Sequence, residues 1–202
     1  MLPTVALLLA LALLSGCAGG TTGEAESAEA DVPEEALEEA RAAADALTTD
    51  LKKQWAAAMA EGGPVGAIDV CAQIAPEVAR KYSVDGTIVR RVALRARNPE
   101  NRPADAWEEA QLQVLLGQHE AGEMPAEVYG VVEAEDGARA FRYLRPIEMG
   151  AVCLNCHGDP ATLEEEVKTA IQENYPEDAA TGFAAGDFRG AVAVHVPLDG
   201  DA

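Results

Sequence analysis

Positive charge is what this 202-residue chain has least of: 15 Lys and Arg stand against 35 Asp and Glu, a formal net charge of −20. That balance argues against nucleic acid as a partner, because phosphate binding needs clustered positive charge. It also argues against docking on anionic lipid by charge alone. Lysine is rarest, confined to Lys52, Lys53, Lys81 and Lys168. Aromatic residues make up only 4%, too few for a large aromatic binding surface. The 49% apolar content includes 41 alanines, so the larger apolar residues suffice for one modest core and not for two. There is no internal repeat and no Gly-rich phosphate loop. Cysteine is limited to four residues and histidine to three, which leaves a short list of metal or redox ligands.

The chain also lacks a long apolar stretch. Its longest run, Val5 to Leu14, has ten residues, too few to span a membrane as a helix. It suits the apolar core of a secretory signal, although no Lys or Arg precedes it. Leu14-Ser15-Gly16-Cys17 follows directly. This resembles the bacterial lipoprotein signal, in which the cysteine is lipidated and becomes the new first residue. The alternative is an ordinary cleaved signal with an incidental cysteine. Lipidation at Cys17 would give a stable anchor, since each buried methylene contributes about 0.8 kcal/mol. The expected location is the cell envelope, facing the periplasm. Ala18 is not the Asp of the inner-membrane retention signal, so a two-membrane bacterium would hold the anchor in its outer membrane. Residues 1–16 are thus read as the signal, and 17–32, without a large apolar residue until Val32, as a flexible acidic tether.

From residue 33 to 61 apolar residues recur at spacings of three and four (Leu37, Ala40, Ala44, Leu47, Leu51, Trp55), which predicts an amphipathic helix with Pro33 at its start. Glu34, Glu35, Glu38 and Glu39 crowd its first turns, where the helix dipole favours negative charge. Residues 62–198 are read as the folded domain. Gly66 to Lys81 reads as helical despite Pro76, with Ile68, Cys71, Ala75 and Val78 on one face. Thr87 to Ala96 alternates as a half-buried strand. Asp105 to Gly117 reads as a helix, and Val128–Ala134 with Arg139–Ile147 as a hairpin turning at Asp136-Gly137. Thr162 to Asn174 reads as a helix capped by Thr162, and Arg189 to Leu198 as the last strand. This order predicts an α+β domain, a small antiparallel sheet covered by helices.

The cysteines carry the chemistry. Cys153-Leu154-Asn155-Cys156-His157 is the c-type haem attachment pattern. Two thiols add across the two vinyl groups of haem, and two intervening residues set their separation. The adjacent histidine then presents its imidazole to the iron. Three alternatives are a thioredoxin-type dithiol, a structural disulfide, and a zinc site built from Cys71, Cys153, Cys156 and His157. Gly158-Asp159-Pro160 turns the chain where the dithiol would need a helix. A disulfide would not explain His157, and adjacent zinc ligands at Cys156 and His157 are geometrically awkward. Cys71 reads either as a buried apolar residue or as the sixth ligand of the iron.

Several separate pieces carry a resemblance. They are Gly63-Pro64-Val65-Gly66-Ala67-Ile68-Asp69-Val70-Cys71 with Ala75-Pro76; Arg97-Asn98-Pro99-Glu100-Asn101 with Trp107-Glu108; Phe141 to Ile147; Cys153 to Gly158; Tyr175 to Asp178 with Ala180-Thr181-Gly182; and Gly186 to Ala191. Together they resemble a bacterial family of single-haem c-type proteins with a PAS-like fold. That family is a domain of unknown function discussed as redox or gas sensors. The resemblance runs from about Lys52 to Val196. It implies one covalently attached haem c, with thioether bonds at Cys153 and Cys156. It further implies axial ligation by His157 and, opposite, by the thiolate of Cys71. Met59, Met124, Met149, His119 and His195 are the competitors for that position. Both histidines read as surface or strand-face residues, and Met149 as packing against the ring.

Arg90, Arg91, Arg95, Arg97 and Arg102 crowd into thirteen residues. They read as a solvated basic face, or as ligands of the haem propionates, with Arg91 and Arg95 as the candidates for that contact. No paired acid/base constellation stands near the haem motif, so enzymatic action is not expected. Two function classes follow: electron transfer with a redox partner protein, or sensing of redox state or of a small gas (CO, NO) through a labile Cys71 ligand.

Overall fold

The computed structural model describes residues 32–198. Cys17, the signal and most of the tether lie outside these residues. The described chain is mixed helix and strand, an α+β fold of the PAS-like kind, as predicted. Four antiparallel strands form one open sheet in the order β1-β4-β3-β2, with β1 at Ile88–Val92, β2 at Val128–Glu133, β3 at Arg139–Glu148 and β4 at Phe188–Pro197. The hairpin β2–β3 turns where predicted, with Gly137 at φ 86°.

Alternation along the strands divides the core in two. Val89, Phe141, Tyr143, Val192, Val194 and Val196 face one side of the sheet. There the long helix α1 (Glu34–Asp69) lays down Ala36, Ala40, Ala44 and Leu47, together with Val78 of α2 (Ala75–Tyr82). The alanines let the helix approach closely, and Leu47 with Phe141 and Tyr143 fills the layer. Burying a leucine of this kind contributes about 1.5–3 kcal/mol. On the other face Val92, Leu144, Phe188, Ala191 and Ala193 meet Leu112 and Leu115 of α3 (Ala106–Glu120). The N-terminal helix therefore shares the sheet's own core. Ion pairs hold it down: Arg41 to Glu127, Lys81 to Asp50 at 2.8 Å, and Arg145 to Asp45 at 2.5 Å. Glu127 also accepts from the buried Tyr143 hydroxyl, and burial with that carboxylate pushes the tyrosine pKa to about 12.

Helix α1 runs beyond residue 61, with a kink. Gly63 takes φ 60° and ψ −157° ahead of Pro64. Glycine tolerates that conformation, and proline restarts the helix without the amide hydrogen that an uninterrupted helix would use. The predicted helix through Pro76 is likewise interrupted: Val70–Ile74 forms one π-turn between α1 and α2. Pro76 explains it. Its missing amide cannot bond the carbonyl of Ala72, and the backbone instead closes a wider turn from Ala75 N–H to Val70 C=O.

Other boundaries moved for identifiable reasons. The strand predicted over 87–96 ends at Val92, because Ala93 N–H bonds Asn101 C=O and leaves the ladder. Thr162 does not cap a helix; its hydroxyl donates to Asp159 C=O, and α5 begins at Glu165 and ends at Asn174. Asp105 does cap α3, accepting from Glu108 N–H at 2.9 Å and from Arg142 at 2.7 Å. Asp105→Ala should therefore lower stability by about 1–2 kcal/mol, read as a lower midpoint in urea unfolding at unchanged slope. Among the described residues no helix is long and apolar enough to cross a membrane.

Candidate haem site

The Cys153-to-His157 motif follows β3 directly. A single 3₁₀ turn (Ala151–Cys153) leads into one α-turn, α4 (Leu154–His157). A turn of this pitch sends the side chains of residues three and four apart to one side, which brings Cys153, Cys156 and His157 together at one end. Gly158 stops the turn. A Cβ there would meet Leu154 O at 2.6 Å, so only glycine lets the chain leave this closely.

The motif is strapped down by the segment before β4. Gly182 N–H bonds Gly158 C=O at 2.7 Å, and Phe183 N–H bonds His157 C=O at 3.0 Å. Met149 N–H bonds Asp187 C=O and Gly186 N–H bonds Met149 C=O, both at 2.8 Å. Met149, Ala180 and Phe183 form a small buried cluster against Cys153 and Leu154. Cys156 packs against a separate cluster, that of Ile68 with Val167, Ile171 and Tyr175. The motif thus touches two apolar patches, neither of which belongs to the sheet's own core.

His157 is oriented by one contact. Its Nδ1 lies 2.6 Å from Ala180 O. A carbonyl oxygen can only accept, so Nδ1 carries the hydrogen and Nε2 keeps its lone pair. Burial, reinforced by Arg97 and Arg189, brings the imidazole pKa down to about 3, so the ring is neutral at physiological pH. Phe183 meets it edge-on at 6.4 Å. A neutral imidazole with one nitrogen anchored on the backbone is the form in which histidine binds a metal.

Cys71 stands in the π-turn and is half-buried, while Ile68, Ala75 and Val78 of its expected row are buried. The extra residue in the turn breaks the three-and-four spacing and takes the thiol out of that row. It then acts on the thiol of Cys156 and the phenol of Tyr175: burial is the main cause that raises both pKa values, Tyr175 to about 12, and Cys71 adds to each. Residues 71, 153 and 156 are free thiols. Among the described residues no three His, Cys, Asp or Glu side chains converge as a metal cluster. The four residues of the zinc alternative therefore do not close a tetrahedral set.

The arginines divide by task. Arg97, buried, donates to Cys156 O at 2.6 Å, to Ala180 O at 3.3 Å and to both oxygens of Asp178 at 3.1 Å. It ties together the motif, the strap and a counter-charge. Arg95 bonds the carbonyls of Ala179 and Thr181 and lies 4.1 Å from the centre of the Phe183 ring. Arg90 belongs elsewhere: with Arg142 it neutralises Glu108, which is buried in the first turn of α3. Arg91 lines an open cleft with Ala75 and Pro76, just past the π-turn. Arg189, which the sequence did not single out, lies 5.5 Å from the Phe183 ring and donates to Arg95 O at 3.0 Å.

The competitors for Cys71 are spread out. Met124 packs in the α3 core and His119 lies 6.5 Å from Phe188. His195 pairs across the strands with Ile88 and Arg142, towards the far end of β4. Met149 borders the motif, buried beside Cys153.

A family model described as Tll0287-like (Tll0287) matches residues 26–197. The chain belongs to this family. The crystal structure of the cyanobacterial heme-protein Tll0287 matches at a TM-score of 0.62 and 28% sequence identity, over 85% of this chain and 100% of that one. Comparison with curated proteins finds no match. The family read from the motifs, a haem-protein family with this α+β fold, is borne out.

Proposed function

We propose that the chain is an exported, lipid-anchored, single-haem c-type protein that carries electrons in the bacterial cell envelope. Cys153 and Cys156 would hold the haem by thioether bonds, and His157 and Cys71 would supply the ligands of its iron. The carrying observation is the state of the motif. Two free thiols at the attachment spacing stand beside an imidazole whose Nε2 is free because Ala180 holds Nδ1.

The other features of the site fit the group. Cys71 lies close enough to act on the thiol of Cys156. Apolar surface from Met149 and Phe183, and from Ile68 and Ile171, suits a hydrophobic ring. When bound, haem supplies a one-electron couple whose potential its axial ligands tune. The protein's share is positional. Arg97 and the strap hold the motif, His157 keeps one tautomer, and the π-turn presents Cys71. The lipidation of Cys17 and the periplasmic location rest on the signal pattern of residues 5–17.

The test is a denaturing gel stained for haem peroxidase activity, run on protein matured with a c-type attachment system. Wild type should retain stain, and Cys153→Ala/Cys156→Ala should lose it entirely. A wild-type chain whose haem is extracted by acid–acetone, or which carries none, would overturn covalent attachment.

A second reading, a redox or gas sensor, is favoured by one feature. Cys71 rides on a π-turn between the kink at Gly63 and Pro76, a backbone able to shift by a register and withdraw a ligand. Fold likeness adds little to it, since one fold hosts many functions.

A further inference from the structure

Arg91, Arg95 and Arg189 stand at this site without an acidic partner among the described residues, and Arg95 is bonded to the Ala179 and Thr181 carbonyls. Among the described residues, Arg91 and Arg189 form no ion pair, whereas Arg97 has Asp178, Arg102 has Glu177 and Arg90 has Glu108. In a chain of net charge −20 acidic partners are abundant, so the other two cations, side by side, need a reason.

Arg189 is aimed at the site by a deliberate break in the sheet. The β3–β4 register runs Ile147 to Gly190 and then Glu148 to Phe188, which leaves Arg189 as the extra residue of a β-bulge. The consequence shows in the core. Phe188 and Ala191 pack on the same face although they are three apart, which strict alternation forbids. Phe188 takes the place on the α3 side that residue 189 would otherwise fill, and Arg189 is turned away from it. Gly190 makes the bulge feasible. Its φ is +140°, and a Cβ there would lie 2.3 Å from Val92 O. The guanidinium then rests near Phe183, the ring that meets His157. Arg91 approaches from β1, on the face that carries Val192 and α1 and beside the end of the π-turn. Burial and the neighbouring Arg91, Arg97 and Arg95 bring the Arg189 pKa down to about 10, with Asp178 offsetting part of the effect.

We infer that Arg189, with Arg91, forms a guanidinium clamp for the two propionate carboxylates of the haem. The inference rests on the haem reading above. It differs from the sequence expectation in its residues, because the donors of Arg95 are engaged with Ala179 and Thr181. Arginine suits the task by bidentate geometry with a planar carboxylate. The propionates in turn supply the counter-charge that the cluster lacks.

A clamp has a signature in the potential. A propionate held between arginines stays ionised in both oxidation states, so the midpoint potential is flat with pH above the ordinary carboxylate range of about 4. Without Arg189 the propionate pKa rises and depends on the iron's charge. Two effects follow. Arg189→Gln removes a positive charge, which favours the ferric form and lowers the potential, most strongly at alkaline pH. As pH falls, a proton on the propionate replaces the lost charge, so the potential climbs back and acquires a slope.

The experiment is a spectroelectrochemical titration across pH 5–9 of holoprotein with its haem content verified. Arg189→Gln and Arg91→Gln should show the drop and the slope. Arg189→Lys should keep the charge and show less of both, and Arg95→Gln should keep the flat wild-type profile. Holoprotein of Arg189→Gln with the wild-type potential and profile overturns the clamp. So does a profile that stays wild type while electron exchange with an acidic partner loses its ionic-strength dependence, since the guanidiniums then serve docking. A wild-type chain without haem overturns the parent reading, and the clamp with it. If Arg189→Gln fails to fold, Arg91→Gln, whose side chain makes no hydrogen bond, decides: an unchanged profile there overturns the clamp.

Discussion

Cys71→Ala is expected to raise the reduction potential by on the order of a hundred millivolts, a fraction of the roughly 0.8 V over which axial ligands set haem potentials. The sign follows from charge. A thiolate donates electron density and neutralises part of the ferric charge, so it stabilises the oxidised state more than the reduced one. Removing it shifts the balance towards ferrous iron. The visible and paramagnetic resonance spectra of the oxidised protein should change together with the potential. Wild type itself should titrate low compared with His/Met cytochromes. A clearly positive wild-type potential, or a Cys71→Ala spectrum identical to wild type, would remove Cys71 from the iron. Met149, buried beside Cys153, would then be the side chain to examine. The same titration separates the two functional readings. Reduced wild type that takes up no carbon monoxide behaves as an electron carrier. Fast uptake by wild type, matching Cys71→Ala, would mean that reduction releases the thiolate and would favour sensing.

What the sequence made legible was local. The Cys153-to-His157 pattern is five contiguous residues, and the structure gathers them into a single turn, as contiguous residues must be. The hairpin, α3 and the apolar stripe of α1 are periodic patterns whose partners do not need to be known. What stayed hidden depended on contacts between distant segments or on breaks in periodicity. Cys71 seemed to belong to a buried row because a regular helix was assumed, yet Pro76 already carried the signal of a wider turn. Arg97 alternated plausibly within a strand, but its partners are Asp178, Cys156 and Ala180, some sixty to eighty residues away. No local pattern announces such a bond. Arg189 was hidden by the bulge, although an Arg-Gly pair within an apolar strand was a hint that alternation would fail there. The two propionate candidates illustrate the same limit. Arg91 and Arg95 share one strand face by parity, but the strand stops at Val92 and Arg95 goes to the strap.

Arg97→Leu is the substitution expected to harm the domain most. The Arg97–Asp178 pair is shielded, at 9% and 10% side-chain exposure, and both partners bind backbone as well as each other. Asp178 accepts from Ala180 N–H at 2.8 Å, and Arg97 donates to the Cys156 and Ala180 carbonyls. Leucine in place of Arg97 leaves a buried carboxylate without its cation, takes the Arg97 donor from the Cys156 carbonyl, and leaves Ala180 C=O with His157 Nδ1–H alone. Breaking a buried pair from one side costs about 3–5 kcal/mol, a large share of the roughly 5–15 kcal/mol by which a domain is stable. The loss should appear as a lower denaturation midpoint in holoprotein. It should also appear as incomplete haem attachment, because Ala180 is the residue that orients His157 and Cys156 is one of the two thiols. Adding Asp178→Asn removes the orphaned charge and should return part of the stability, but not the attachment yield, since Arg97 no longer ties the Cys156 carbonyl to the strap. Arg97→Lys keeps the charge but not the bidentate reach, so it should fall between wild type and Arg97→Leu on both measures. Equal stability for Arg97→Leu and wild type would mean that Asp178 is solvated in solution and that the strap, rather than the ion pair, holds the haem motif.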